Sequence, residues 1–101
     1  MKNIKEKIEN ELIDLDLPLQ GDSFMYWREL LSYVNNKKIE MFEMFDLYNY
    51  LAKYYKKSLT SVERILRIGT EKMKKRIKEK YNINTKITNE TIVRLFQIKV
   101  F

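Results

Sequence analysis

Apolar residues return at three- and four-residue intervals along most of this chain, as they do in helices that each bury one face. Ile4, Ile8 and Leu12, with Leu15 beyond them, mark a first helix over about 3–14. Pro18 and Gly21 break the pattern, and Asp22 or Ser23 can cap a second helix running to about 34 with Phe24, Trp27, Leu31 and Val34 inward. Met41, Phe42 and Phe45 suggest a short third helix. The clearest periodicity lies between Leu47 and Arg76, where two amphipathic patterns flank a short polar turn. In the first, Leu47, Tyr50, Leu51 and Tyr54 share one face, and Asp46 stands where an N-cap is needed. In the second, over about 60–78, Val62, Ile65, Leu66, Gly69, Met73 and Ile77 form an inward stripe, with Thr60, Arg64, Arg67, Glu71 and Lys75 opposite. Two amphipathic helices across a tight turn are the grammar of a helix-turn-helix, here spanning about 46–78.

Glycine occurs twice and proline once, punctuation too sparse for a sheet built on turns, so the chain reads as all-α, a bundle of about five or six helices joined by short loops. The last segment admits two readings. Thr88 can cap a helix that buries Ile92, Leu95, Phe96 and Val100. The run IVRLFQIKVF is also rich in β-branched and aromatic residues, and Phe96, Ile98 and Val100 alternate as in a strand, which would pair with 83–87 and form a wing. On either reading, 101 residues with 45% hydrophobic content support one domain around a modest core.

Composition narrows the chemistry. Cysteine and histidine are both absent, which removes disulfides, thiolate metal sites and the commonest metal ligand and general base. No Gly-rich phosphate loop, catalytic dyad or nucleotide fingerprint is present, so the expectation is a protein that is not an enzyme, with no metal, cofactor or small-molecule ligand. The first residues alternate charges without the apolar core of a signal peptide, and no later run approaches the roughly 20 apolar residues of a membrane span. A cytoplasmic protein that does not enter the membrane is expected.

Charge then changes the picture by where it sits. The net charge is +6, yet the stretch from Lys53 to Lys80 carries eleven Lys or Arg against three Glu, a net of +8 that leaves −2 for the rest. A localised positive field attracts phosphates, whereas a merely solvated basic helix is the alternative. On the outward face of the second pattern, Arg64 and Arg67 have the donor chemistry for base edges in a major groove, with Glu63 and Ser61 at the margin of that set. Thr60, Ser58, Lys56, Lys57, Lys74 and Lys75 are placed to hold phosphates.

Other residues have plainer readings beside the functional ones. Trp27 and the tyrosines could stack on single-stranded bases, but their helical spacing assigns them to the core. Gly69, mid-helix, implies close packing against the preceding helix, with Leu51 or Tyr50 as the neighbour. Ile68 could touch a thymine methyl or simply be exposed. Glu40, Glu43 and Asp46 read as a solvated acidic face, since a hard cation needs more oxygens and a shaped loop.

The same residues resemble a known family. LYNYLAKYYKKSLTSVERILR is similar to the DNA-binding half of the effector domain of the master sporulation response regulator of endospore-forming bacteria, which carries LYxxIAKKF followed by S-x-V-E-R-x-I-R. LDLPLQGDSFMYWRELLSYVNN resembles that family's I-G-V-P and G-Y-x-Y-L-R-E-A-I opening, with Pro18, Tyr26, Arg28 and Glu29 in corresponding places. Thr88, Asn89 and the apolar residues after them resemble its closing T-N-x-x-x-I helix, which favours the helical reading of the C-terminus. The resemblance implies that the helix over about 60–78 reads bases, with Val62, Glu63, Arg64 and Arg67 on matching positions. The chain departs from the pattern at Ser61, where the family has an arginine, and it lacks the receiver domain. Neither the family's target sequence nor control by phosphorylation is therefore implied.

The expectation is thus a sequence-specific double-stranded DNA-binding protein, a transcriptional regulator, with a homodimer on DNA as one arrangement. Two alternatives stand beside it. One is an accessory protein of plasmid or phage maintenance; the other is an interaction module whose basic face docks an acidic partner.

Overall fold

In a computed structural model that describes residues 3–101, the chain forms five helices: α1 (Ile4–Asp14), α2 (Asp22–Asn36), α3 (Met44–Tyr55), α4 (Leu59–Tyr81) and α5 (Asn89–Lys99). No strand occurs among the described residues. The fold is therefore all-α, and the wing that the C-terminal alternation allowed is not formed. There the Thr88 side chain accepts from the Thr91 N–H while the Thr91 hydroxyl accepts from the Thr88 N–H, a capping box that starts α5.

Starts and stops follow from how the terminal N–H and C=O groups are satisfied. Asn3 caps α1 by accepting from the Glu6 N–H at 2.8 Å. At its other end Asp16 turns left-handed (φ 69), and the N–H groups of Asp16 and Leu17 reach back to the carbonyls of Ile13 and Leu12. That is the Schellman closure, and it puts Leu17 beside the core. Lys38 and Ile39 close α2 in the same way on Asn35 and Val34.

Three sequence expectations are corrected here. α2 starts one residue earlier than a cap at Asp22 or Ser23 would allow, because Gly21 takes φ 100 and serves as N-cap without a side-chain bond. The Ser23 hydroxyl instead donates to the Ile65 carbonyl at 2.7 Å. Met41, Phe42 and Phe45 form no helix of their own. The Gln97 amide donates to the carbonyls of Ile39 (2.8 Å) and Glu40 (3.2 Å), which holds that segment out of helical geometry and leaves Met41 89% exposed. α3 consequently starts at Met44, with Glu43 at the N-cap and Asp46 in the first turn, where its charge favours the helix dipole.

α4 packs against α2, α3 and α5, and α1 packs on α2. The predicted stripe of α4 is buried: Val62, Leu66, Met73 and Ile77 join Trp27, Leu31, Leu47, Leu51, Ile92 and Phe96 in one core. Gly69 lies on that stripe, but its neighbour is α2 and not α3. A Cβ there would meet the Trp27 ring at 3.0 Å and Ser23 Cβ at 3.1 Å, because Trp27 donates from Nε1 to the Leu66 carbonyl at 3.0 Å and so holds that edge of its ring against the helix.

Four of the seven tyrosines stack in two pairs. Tyr26 stacks on Tyr55 with centroids 4.2 Å apart, and Tyr33 on Tyr50 at 3.7 Å. Tyr50 donates to Glu29 at 2.6 Å; burial and that carboxylate push its phenol well up from the ordinary value. Tyr54, expected on the inward face, is exposed, since the stacked pairs already fill the α2–α3 contact and leave it to lie edge-on against Tyr55.

Candidate nucleic-acid interface

α3 and α4 are joined by the three residues Lys56, Lys57 and Ser58. The turn is this tight because Lys56 adopts a left-handed conformation (φ 55) and the Lys57 N–H returns to the Ala52 carbonyl at 2.9 Å. Ser58 then caps α4, accepting from the Ser61 N–H at 3.1 Å and donating to the Ser61 hydroxyl at 3.0 Å. Ser58, expected to hold a phosphate, and Ser61, expected to touch a base, are thus engaged with each other at the helix start. Ser61 is half-buried, while Thr60, Lys56 and Lys57 are exposed.

The electrostatics of this helix start differ from those of the other four. α1, α2, α3 and α5 each carry an acidic residue in the first turn (Glu6, Asp22, Asp46 and Glu90), whereas α4 has none and follows two lysines. The unpaired N–H groups and partial positive charge of a helix N-terminus attract anions, and here nothing of opposite sign competes for them within the first turn.

From that start the outward face presents Arg64, Arg67 and Ile68, all exposed. Among the described residues Arg64 is in no ion pair; Arg67 donates from Nε to both Glu63 oxygens, at 3.1 and 3.3 Å. This bond uses only Nε and leaves the terminal NH2 groups of Arg67 without a protein partner among the described residues, as bidentate recognition requires. Lys75 lies three turns further on, about 16 Å along the axis at 1.5 Å per residue, exposed and in no ion pair among the described residues. Lys74 is half-buried and 3.8 Å from Glu71. Arg64, Arg67, Thr60 and Lys75 therefore share one surface, with Lys56 and Lys57 at its end, while Ser58, Ser61 and Lys74 stand at its edge.

Part of the basic segment faces elsewhere. Lys80 donates to both Glu11 oxygens and to Asp14 across the α1–α4 contact, Arg76 lies 4.0 Å from Asp14, and the Tyr81 hydroxyl donates to Glu11. The sequence also gave no sign of a polar cluster behind the surface, formed by Tyr48, Thr70 and Asn89. Thr70 could have been suspected, because its position falls within the apolar stripe of α4. Burial raises the Tyr48 phenol above its ordinary value, partly offset by the hydrogen bond Asn89 donates to it.

No helix among the described residues is long and apolar enough to cross a membrane. The chain matches no family model, no curated protein and no solved structure.

Proposed function

We propose that this chain is a sequence-selective double-stranded DNA-binding protein, a cytoplasmic transcriptional regulator in which α3 and α4 serve as a helix-turn-helix and α4 enters the major groove. The observation that carries the reading is the outward face of α4: exposed Arg64 and a Glu63-braced Arg67 in the first turns, flanked by Lys56 and Lys57 at a helix start free of acidic residues. Base-edge donors near the N-terminus of a groove helix, with phosphate-seeking charges around them, are the division of labour that DNA recognition requires. The resemblance of 47–67 to the sporulation regulator's effector domain supports the same assignment. Arg64 and Arg67 read bases, with Glu63 orienting Arg67, and Lys56, Lys57, Thr60 and Lys75 hold the backbone.

Selection of bound duplexes from a random pool, followed by a salt titration on the winning site, tests this. Affinity should fall by orders of magnitude between low and moderate salt as counterions are released from several phosphates. The length and symmetry of the selected site will tell whether one copy or two bind. Salt-insensitive binding, or none on any duplex, would replace this reading with a protein-interaction module for an acidic partner.

A further inference from the structure

Directly behind the outward face of α4, one polar node joins three helices, and we infer that it fixes the rotation of α4 and so aims Arg64 and Arg67; the inference rests on the DNA-binding reading above. Asn89 and Thr70 are the polar side chains buried in the core among the described residues, at 6% and 1% exposure. Buried polar groups specify geometry that apolar groups of the same size leave free, because their hydrogen bonds have direction.

Asn89, the first residue of α5, accepts from the Thr70 hydroxyl at 2.6 Å, donates to the Tyr48 hydroxyl of α3 at 3.1 Å and reaches the Glu63 carbonyl at 3.5 Å. A backbone carbonyl can only accept, so the approach to Glu63 favours the amide NH2 on the Glu63 and Tyr48 side and the amide oxygen toward Thr70, whose hydroxyl also lies 3.2 Å from the Leu66 carbonyl. The node grips α4 at two points two turns apart, Glu63 and Thr70, and refers both to α3 and α5. Two points resist rotation about the helix axis, which a single contact does not. Glu63 also braces Arg67 through its carboxylate, so the same residue joins the node by its backbone and the arginine by its side chain. A rotation of about 20° carries a tip at a radius of about 6 Å through about 2 Å, enough to break a bidentate base contact. Asn89 is in this sense a positioning residue, away from the DNA itself.

The test compares wild type, Asn89→Leu and Tyr48→Phe, well below their melting temperatures, on the selected duplex and on an unrelated one across a salt series. Asn89→Leu should lower the ratio of specific to non-specific affinity about five- to tenfold, and Tyr48→Phe by less. Non-specific affinity and the salt slope should stay unchanged, since the phosphate-facing lysines are untouched. A lowered melting temperature with an unchanged ratio would make the node merely structural and overturn the inference. If Asn89→Leu fails to fold, the ratio for Tyr48→Phe decides. Wild type without preference among duplexes would instead sink the DNA-binding reading, a result distinct from loss or retention of selectivity in the variants.

Discussion

The two halves of α4 are both basic, with Arg64 and Arg67 before Gly69 and six Lys or Arg after it, and they use their charge differently. In the first half, Arg64 and Arg67 project outward beyond a buried stripe, and their one acidic companion, Glu63, lies on the same helix. In the second half, Lys80 and Arg76 turn toward Glu11 and Asp14 of α1 and tie two helices together. A charge count treats all of these cations as one field. The pairing shows that Lys80 and Arg76 are drawn toward α1, while Lys56, Lys57, Arg64, Lys72, Lys75 and Lys78 are exposed and, among the described residues, in no ion pair. It also gives the second half a different task, holding the N-terminal helix on the bundle.

The boundary between the halves is Gly69, and altering it should have the largest effect. Its hydrogen faces a Trp27 ring that the bond to the Leu66 carbonyl prevents from retreating. Gly69→Leu should therefore destabilise the fold by about 3 kcal/mol, at the upper end of overpacking costs, although leucine is the better helix former. Chemical denaturation measures this. A variant as stable as wild type would mean that α2 and α4 can separate there.

Next comes the contrast between the halves in DNA binding. Arg64→Ala should cost about 1 to 3 kcal/mol on the selected site and relax selectivity at one base pair, whereas Lys75→Ala should weaken all duplexes alike and reduce the salt slope. Equal, uniform losses would show that Arg64 reads no base. Lys80→Ala should do the reverse of both, leaving DNA affinity unchanged and costing about 1 kcal/mol of stability, as expected for a multi-partner ion pair at the edge of the core. A drop in DNA affinity in the folded Lys80→Ala variant would erase the distinction drawn between the halves.

What could be read in the sequence was local. The inward stripe of α4, the break at Pro18 and Gly21, and the capping role of Thr88 all depend on residues within a turn or two of one another. What could not be read depends on partners far along the chain. Lys80 meets Glu11 and Asp14 from 69 and 66 positions away, and no periodicity announces that. Met41, Phe42 and Phe45 had helical spacing, but the side chain of Gln97 holds the Ile39 and Glu40 carbonyls, and of the three only Phe45 is helical, inside α3. Asn89 and Thr70 meet across 19 positions, which no local pattern announces. For the candidate interface, the outward set Arg64, Arg67, Thr60 and Lys75 was legible from the helical wheel. The mutual engagement of Ser58 and Ser61 was not, because capping and phosphate binding use the same side-chain type.

The smallest expected effect concerns pH and separates an ion pair from simple packing in the second half of α4. Asp14 is held below its ordinary 3.8 first by the hydrogen bond from Lys80 and then by the charge of that lysine, against an opposing effect of burial, with Arg76 adding to the depression. A carboxylate with a depressed folded value contributes stability that is complete above its unfolded value and is lost as pH falls through the folded one. Lys80 is the mirror case. Burial works against its charge, but the bonds to Asp14 and Glu11 outweigh it and raise its value above the ordinary 10.5, so its contribution is complete below that and disappears only at higher pH. The melting-temperature gap between wild type and Lys80→Ala should therefore be flat from about pH 5 to 9 and shrink as pH falls below about 4. Lys80 also lies 5.3 Å over the Tyr81 ring. A gap that persisted unchanged to about pH 2 would assign its contribution to that ring and to the packing of its methylene stem, and α1 would then be held without help from the carboxylates of Glu11 and Asp14.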